Sequence, residues 1–356
     1  MHLRRVVARS FRNLADLTCE PPAAGVAMLG ANAQGKTSLL EAIYYPVLFR
    51  SFRGAPDPDV AGFDTTGFHV EMELADAAVR TIAATYQAAS RRKRILLDGE
   101  PVGRVADAVG AWLAVAFLPA DVALASGPAA ERRQYVDRLL CLAHRPYLRA
   151  LTRYRAALAQ RNSALKQGRI EVARAFDGAL SAAGAAVVRF REDWAGPASE
   201  QFAAEFDCLG ERLPASLSYR SLGLAEPGAW EEALEAALPQ DRLRGMTTIG
   251  PHRDDLILEI GGRALRDFGS TGQQRSAAVA LKLIELAGLR QARGTEPALL
   301  LDDVFAELDR ERQSRLARRL LGEGARQVFL TAARADELPP GLGLPVWTMV
   351  AGKVRQ

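Results

Sequence analysis

Long apolar runs and a secretory signal are absent from this 356-residue sequence. An uncharged run such as residues 108–118 ends at Pro119, far short of the roughly 20 apolar residues that a membrane span needs. The basic start of the chain, residues 1–13, is not followed by an apolar signal segment. We therefore expect no membrane partner and a cytoplasmic location.

Cysteine is also scarce, and the sequence has neither an internal repeat nor a low-complexity tract. Cys19, Cys141 and Cys208 are scattered, with no metal-binding or redox spacing between them. Hydrophobic residues make up 49% and charged residues 25% of the chain, which excludes a disordered tail or a coiled-coil rod. The length predicts about two domains.

Basic charge is concentrated in one stretch of the chain. The formal net charge is +4. Residues 129–193 contain 13 basic and 6 acidic residues, so they carry +7 and the rest of the chain carries −3. Such a stretch indicates either a surface that meets a polyanion or a solvated helical face, and composition leaves both readings open.

The order of sequence patterns predicts an α/β domain that is interrupted by helices. Short β-like runs and an apolar strand at 25–30 precede a helix from Lys36, which we expect Pro46 to end or kink. Residues 67–97 indicate a β-meander, and residues 129–206 two to four helices. A stretch that contains prolines and glycines, residues 207–250, is expected to return the chain to β structure. The predicted β structure is a strand at 254–260, a turn at Gly261 and Gly262, and the segment 263–268.

Residues 30–37 match the phosphate-binding pattern G-x-x-x-x-G-K-[ST] completely, with a buried strand before it and a helix after it. The backbone N–H groups and the helix N-terminus of such a loop form an anion cradle. The predicted nucleotide-binding residues here are Gly30, Ala31, Asn32, Ala33, Gln34, Gly35, Lys36 and Thr37. Lys36 would contact the β- and γ-phosphates, and the Thr37 hydroxyl would ligate Mg²⁺.

Two acids end the apolar run 298–301, where they suit the metal chemistry of such a site. Asp302 is expected to hold the water shell of Mg²⁺, and Asp303 to act as the general base that polarises the attacking water. Lys36 and Asp302 are 266 residues apart in sequence, which is too many for a minimal nucleotide-binding core. The helical block accounts for most of the excess.

Residues 268–276 open a long amphipathic helix. Ser270 and Thr271 are good N-caps, and Thr271 with Gln274 fits a capping box. Capping explains these residue types, but a helix N-terminus beside a hydroxyl is also an anion site. Both interpretations stay open at the level of the residues.

Seven segments together resemble the RecF family of bacterial recombination-repair ATPases, whose heads belong to the ABC, SMC and Rad50 group. They span nearly the whole chain in order: residues 10–14, 30–45, 50–54, 117–137, 250–256, 268–276 and 299–309. The resemblance implies an ABC-type P-loop ATPase head, formed by residues 1–118 and 246–356, with a helical insertion (lid) at 119–245. The insertion is far too short for the coiled-coil rod of SMC/Rad50 proteins.

The resemblance also implies roles for particular residues. Residues 30–37 would be the Walker A site, Asp302 the Walker B acid and Asp303 the catalytic carboxylate. Arg12 and Asn13 would lie near the nucleotide, and residues 306–309 would be the D-loop. The remaining expected nucleotide contacts, made across a head-to-head dimer, come from the signature segment: Ser270, Thr271, Gly272 and Gln273.

The function implied by the resemblance is ATP-dependent DNA binding in recombinational and replication-gap repair. ATP and DNA would drive homodimerisation, and the dimer would help to load RecA with RecO and RecR and support the SOS response. The DNA would be single-stranded, gapped or double-stranded. The alternative is an SMC/Rad50-like chromosome-maintenance ATPase. A third class is an ABC transporter subunit, which would need a membrane partner, the usual signature and a switch histidine. The sequence has neither that signature nor that histidine, so this class is disfavoured.

The sequence departs from the ABC pattern at several positions. Residues 117–124 contain no glutamine for a Q-loop, and Thr331 stands where many ABC proteins have a switch histidine. Ala33 replaces a common loop glycine. We therefore expect slow, DNA-stimulated ATP hydrolysis that acts as a switch. The candidate DNA contacts are Arg145, Arg149 and Arg153, with Tyr147 and Tyr154 nearby, and Arg91, Arg92, Lys93 and Arg94 on a predicted hairpin turn.

Overall fold

The computed structural model describes residues 1–221, 225–306, 310–321 and 326–356. Within this part, the chain divides into two compact units. The first combines Met1–Ala120 with Leu289–Gln356, and the second is Asp121–Gly288. The predicted insertion ends at residue 245, whereas the second unit continues to Gly288. The reason is that the strand at 255–260 pairs with one at 215–220 inside that unit.

The part of the first unit that precedes the second consists mainly of strands. Its elements are β1 (His2–Arg9), β2 (Leu17–Cys19), β3 (Gly25–Leu29), α1 (Lys36–Leu48), α2 (Asp57–Val60), β4 (Gly67–Ala75), β5 (Thr81–Gln87), β6 (Arg92–Leu97), β7 (Glu100–Pro101), α3 (Val105–Ala108) and β8 (Ala114–Phe117). The predicted meander is confirmed as β4, β5 and β6. Pro46 does not end α1, which continues to Leu48 and stops at Phe49, whose φ is 54°.

The second unit is mainly helical and includes a small antiparallel sheet. Its elements are α4 (Ala123–Ser126), α5 (Ala129–Ala143), α6 (Arg145–Lys166), α7 (Ile170–Arg174), α8 (Asp177–Cys208), β9 (Ala215–Arg220), α9 (Pro227–Arg244), β10 (Asp255–Ile260), β11 (Arg263–Ala264), α10 (Leu265–Phe268) and α11 (Thr271–Arg293), which runs on past Gly288. The predicted helical block is confirmed as α5 to α8.

The expected strand at 254–260 is confirmed as β10, but the stretch that leads to it, residues 207–250, is more regular than the sequence indicates. Strand β9 is present, but α9 follows it. The sequence signal was misread because Pro227 occupies the first turn of the helix, where a missing N–H costs nothing, and Pro239 lies inside it. Most of the segment after the Gly261–Gly262 turn is also helical, as α10.

The chain then completes the first unit with β12 (Ala298–Asp302), α12 (Arg310–Leu321), β13 (Val328–Ala332), β14 (Val346–Val350) and β15 (Lys353–Arg355). These strands join β3 and β8 in a sheet with the order β15-β14-β3-β13-β12-β8, parallel except for the β14–β15 pair. The remaining strands of the unit form an antiparallel sheet, β2-β1-β4-β5-β6-β7. Strands β8, β12 and β13 are buried along their whole length, as parallel strands covered on both faces are.

The segment 250–256, singled out in the sequence, forms a largely buried junction within the second unit. The carbonyl of Thr247 can only accept a hydrogen bond, so His252 Nε2 donates to it and Nδ1 accepts from the Tyr154 hydroxyl. Burial lowers the pKa of His252, consistent with a neutral ring. Asp254 is fully buried and pairs with Arg191. These contacts give His252 and Asp254 a structural role within the second unit.

No helix in the described residues is both long and apolar enough to cross a bilayer.

Gly184 of α8 packs against Trp230 so closely that an alanine Cβ would lie 2.8 Å from the indole ring. Helix propensity alone would make Gly184→Ala stabilising. We expect it instead to destabilise the protein by about 1–3 kcal/mol, because the indole must move to admit the methyl group. Equilibrium urea unfolding measures the change.

Gly178→Ala is the matched control in the same helix. A Cβ at this position would meet only a Glu231 carboxylate oxygen, at 3.9 Å. This variant should unfold at the same urea concentration as the wild type, or at a higher one. If the two alanine variants shift the midpoint equally, the proposed clash at Trp230 is wrong.

Candidate nucleotide-binding site

The carboxyl ends of three neighbouring parallel strands bring together the predicted residues of the first unit. Strand β13 lies between β3 and β12, and Thr331 is in register with Met28 on one side and Asp302 on the other. The loop 30–37 leaves the end of β3, and Asp302 ends β12. This edge of an open α/β sheet is where such folds bind ligands.

The loop is held in shape by its own lysine and by close packing. Lys36 Nζ donates hydrogen bonds to the carbonyls of Gly30, at 2.6 Å, and Ala31, at 3.3 Å. A Cβ at residue 30 would lie 2.5 Å from the Met349 carbonyl oxygen, and Gly35 has a φ of 105°. Both positions therefore favour glycine for steric reasons.

The turn between β14 and β15 is hydrogen-bonded to the middle of the loop 30–37. The N–H of Ala351 donates to Gln34 Oε1 at 2.7 Å, and the N–H of Gly352 donates to the Gln34 carbonyl at 2.9 Å. Ala33, which replaces the common glycine, has a φ of 64° in the left-handed region. Its carbonyl accepts a hydrogen bond from Asn13 Nδ2 at 2.9 Å, which helps to hold this strained conformation.

Arg12 and Asn13 lie beside the loop and line the cavity, and their contact with a nucleotide stays a prediction. Asn13 Oδ1 also accepts a hydrogen bond from the Ser38 hydroxyl at 2.6 Å, so this side chain links the loop to α1. Arg12 donates through Nε and Nη2 to both carboxylate oxygens of Glu41, which is fully buried in α1. The Arg12 backbone has a φ of 53°, so local strain again accompanies the site.

The first acid contacts the hydroxyl at the start of α1. Thr37 Oγ1 donates to Asp302 Oδ1 at 2.8 Å, and Thr331 Oγ1 lies 2.9 Å from the same oxygen. Burial raises the pKa of the Asp302 carboxyl above its ordinary value, and the charge of Asp303 adds to this shift, whereas the two threonine hydroxyls oppose it. The hydrogen-bonded Thr37–Asp302 pair presents two oxygen ligands of the kind that Mg²⁺ prefers.

The loop opens onto a cavity of about 910 Å³, large enough for a nucleotide. Its lining combines the loop with two further segments of the first unit. The residues are Arg12, Asn13, Asn32, Ala33, Gln34, Gly35, Lys36, Thr37, Ser38, Arg53, Pro58, Asp59, Ala61, Gly62, Phe63, Asp64 and Asp303. Cations line one part of this cavity, as phosphate binding requires.

Sequence reasoning missed several residues of this site. Glu41 interrupts an apolar helix, and a charge in such a run was the signal that it has a buried partner. It accepts hydrogen bonds from Arg12 and the Ser51 hydroxyl, and it pairs with Arg53 at 3.3 Å. Phe63 lines the cavity and is 91% exposed, but no sequence pattern marked it.

The predicted signature residues lie in the second unit, at the start of α11. The capping box is made by Ser270 and Gln273, not by Thr271 and Gln274. Ser270 Oγ accepts from the N–H of Gln273 at 3.2 Å, and Gln273 Oε1 accepts from the N–H of Ser270 at 2.9 Å. The correction arises because the helix begins at Thr271, which makes Ser270 the cap. Gly272 lies in the first turn.

Of the expected D-loop, Ala306 is described, and residues 307–309 lie outside the described residues.

The two basic candidates for DNA contact differ from expectation in detail. Arg145, Arg149 and Arg153 are exposed along α6, but the nearby Tyr147 and Tyr154 are buried and therefore not available for stacking on bases. In the other group, Lys93 pairs with Asp57 at 2.8 Å and lies over the Tyr45 ring. Only the turn residue Arg91 and the strand residues Arg92 and Arg94 are exposed there.

The parallel sheet, the phosphate loop after β3, the two acids at the end of β12 and the second unit inserted between the two parts of the first define an α/β P-loop head of the ABC type. A solved Smc head bound to the C-winged helix domain of ScpA has this fold, with a TM-score of 0.56, 12% identity and coverage of 100% of this chain and 96% of that one. No protein-family model matches the chain.

Two closer comparisons go beyond the fold. The DNA replication and repair protein RecF of Geobacter sulfurreducens is 34% identical over 348 residues, which is 95% of this chain and 94% of that protein. A solved structure of the recombination mediator protein RecF with ATP, in the RecFOR pathway, has a TM-score of 0.91 at 28% identity and covers 99% of this chain and 97% of that one. This chain belongs to the RecF family of DNA replication and repair proteins.

Lys36→Ala should abolish tight binding of ATP while leaving the protein folded. The side chain donates to two loop carbonyls, and it is the cation of the phosphate loop itself. Binding of a fluorescent ATP analogue should weaken by at least tenfold, whereas the circular dichroism spectrum should not change. Exposed Lys353→Ala is the control. Wild-type affinity in the folded Lys36→Ala protein would contradict the assignment of this loop.

Proposed function

We propose that this protein is an ATP-dependent DNA-binding protein of recombinational and replication-gap repair, in which slow hydrolysis acts as a switch. The observation that carries the proposal is the convergence of the loop 30–37, Asp302 and Asp303 at one sheet edge. Membership of the RecF family supplies the DNA-repair context. A cytoplasmic location follows from a role on bacterial chromosomal DNA.

ATP is the proposed ligand, with its phosphates in the loop 30–37. A structure of RecF in the RecFOR pathway contains ATP, which supports this choice. Thr37 and Asp302 would hold Mg²⁺, which neutralises the phosphate charge when bound. The described residues include no cluster of three or more His, Cys, Asp or Glu side chains suited to a metal ion. A site built from one carboxylate, one hydroxyl and phosphate oxygens needs no such cluster.

Asp303 is the proposed general base. Its side chain lines the cavity one residue beyond the buried Asp302, so it can meet a water molecule on the open side of the nucleotide. Lys36 would stabilise the negative charge that develops on the transferred phosphoryl group. Residues 117–124 contain no glutamine for a Q-loop, and threonine occupies position 331, where many ABC proteins have a switch histidine; both departures support slow turnover.

Dimerisation on ATP would complete the site. Ser270, Thr271, Gly272 and Gln273 would meet the γ-phosphate held by the partner protomer. A helix N-terminus offers N–H groups and a favourable dipole to such an anion. In this reading Ser270 has two compatible functions, because its Oγ caps α11 and its hydroxyl proton stays available to a phosphate oxygen.

DNA is the proposed macromolecular partner, and RecO, RecR and RecA are the proposed functional partners. The RecFOR pathway named for the related ATP-bound structure supports this assignment. Loading of RecA at gaps and support of the SOS response are the processes that we propose for the protein. The basic face of α6 is the candidate DNA surface, because Arg145, Arg149 and Arg153 recur at every fourth residue and are exposed.

An SMC/Rad50-like chromosome-maintenance role is the weaker alternative. The Smc head shares only the fold with this chain. The longest helix among the described residues is α8, with 32 residues, and it packs within the second unit against α6 and β9. A long coiled-coil rod would need a helix that extends beyond such packing.

Asp303→Asn should trap the ATP-bound dimer. The amide keeps the size of the side chain but cannot accept a proton from water, so the 10²- to 10⁴-fold or so assistance of a general base is lost. ATP affinity should change little. Light scattering after addition of ATP and DNA should show a dimer that persists long after the wild-type dimer has dissociated.

The control for this experiment is the double variant Ser270→Arg with Asp303→Asn. The arginine blocks the proposed dimer contact without touching the phosphate loop, so this protein should bind ATP and stay monomeric. If Asp303→Asn alone hydrolyses ATP at the wild-type rate, Asp303 is not the base. If the double variant dimerises normally, Ser270 is only an N-cap.

Replacing Arg145, Arg149 and Arg153 together with alanine should flatten the salt dependence of DNA binding. Each lost phosphate contact should reduce the slope of log affinity against log salt by roughly 0.7–0.9. Fluorescence anisotropy at several salt concentrations measures this slope. The control, with the same loss of charge, replaces the exposed Arg212, Arg242 and Arg244. Equal slopes in the wild type and the α6 variant would mean that this face is exposed to solvent and does not contact DNA.

A further inference from the structure

Thr331 contacts both acids of the proposed active site, although no catalytic role follows from the sequence. It lies at the end of β13 and is 1% exposed. Its hydroxyl oxygen is 2.9 Å from Asp302 Oδ1 and 3.2 Å from Asp303 Oδ1, and it accepts a hydrogen bond from the backbone N–H of Asp303 at 3.0 Å. One side chain thus meets the backbone and the carboxylate of Asp303.

The backbone at Asp303 needs such support. Its φ is 49°, in the left-handed region, which is uncommon for a residue other than glycine. The direction of the carboxylate depends on this conformation, and the N–H bond to Thr331 Oγ1 holds it. Within the described part of the chain, the Thr331 hydroxyl is the one side-chain group that is hydrogen-bonded to the Asp303 carboxylate.

Counting protons shows that the hydroxyl cannot serve both carboxylates at once. A threonine hydroxyl donates one hydrogen bond, and here two acceptors compete for it. Asp302 Oδ1 already accepts from Thr37 at 2.8 Å. Loss of the Thr331 hydroxyl therefore leaves Asp302 with one donor, but it leaves the Asp303 carboxylate with none among the described side chains and its N–H without its acceptor.

We propose that Thr331 is a positioning residue for ATP hydrolysis, whose hydroxyl fixes the backbone and carboxylate of Asp303 in the orientation that activates water. The proposal rests on the proposed function, because it takes Asp303 as the base. Thr331 stands where many ABC proteins have a switch histidine, but its contacts assign it a different task. It orients the acid, and it is not among the residues that line the cavity.

The test compares Thr331→Val, which keeps the shape of the side chain, with Thr331→Ser, which keeps the hydroxyl. Single-turnover ATP hydrolysis should slow by about 10- to 100-fold in the valine variant, as misorientation of a catalytic group does. The serine variant should stay within about threefold of the wild type. Affinity for a fluorescent ATP analogue should change by less than about threefold in both variants.

A double-mutant cycle with Asp303→Asn separates this proposal from the function on which it rests. If Thr331 acts through Asp303, the valine substitution should have no further effect on the rate once Asp303 is asparagine. If Asp303→Asn is inactive but Thr331→Val hydrolyses ATP normally, Thr331 has no positioning role and the proposed function survives. If Asp303→Asn hydrolyses ATP normally, Asp303 is not the base. In that case the positioning role proposed for Thr331 is wrong as well.

Two further outcomes would overturn the proposal in favour of other roles for Thr331. A higher Mg²⁺ midpoint for hydrolysis in the valine variant, with an unchanged rate at saturating Mg²⁺, would mean that Thr331 acts through Asp302. Equal losses in the serine and valine variants would indicate a packing role. Should Thr331→Val fail to fold, Thr331→Cys replaces it, because a thiol is a weak donor and acceptor and should give the same loss of rate.

Discussion

The hydrogen bond from the Thr37 hydroxyl to the Asp302 carboxylate joins two residues that are 265 positions apart in the chain. It requires β3 and β12 to end at the same level, on either side of β13, and this is what the parallel register of the three strands provides. The phosphate loop and the acids form one site only while this sheet edge is intact.

Burial of charge is the second constraint on this site. Glu41 is fully buried, and an uncompensated carboxylate there would cost several kcal/mol. Arg12, Arg53 and Ser51 surround it, so the acid holds two of the arginines that line the cavity. The same electrostatic requirement that stabilises Glu41 thereby preorganises the cations near the loop.

Three residues with a strained backbone lie where the chemistry is proposed. Arg12, Ala33 and Asp303 all have positive φ values, and hydrogen bonds from neighbouring elements hold two of them. Asn13 supports Ala33, and Thr331 supports Asp303. Residues in such conformations persist only when the surrounding structure determines them, so the supporting side chains belong to the site as much as the strained ones do.

The sequence by itself determined those features that short-range patterns encode. The loop 30–37 requires its residue types within eight consecutive positions, and the apolar strand before Asp302 is readable from its composition. The ordered set of family segments then gave the fold class and the family. Local signals were weaker where prolines lie inside a helix, and α9 was missed for this reason.

Only the tertiary structure decided which distant residues support the site. No spacing in the chain predicts that Glu41 pairs with Arg12 and Arg53, or that Thr331 contacts both acids, because these contacts depend on which strands and helices become neighbours. The partner of Lys93 could not be predicted from the sequence either. The sequence indicates that Lys93 belongs to a basic patch, whereas in the structure it pairs with Asp57. Sequence patterns record what each segment prefers, whereas a side chain's partner is fixed by packing between segments.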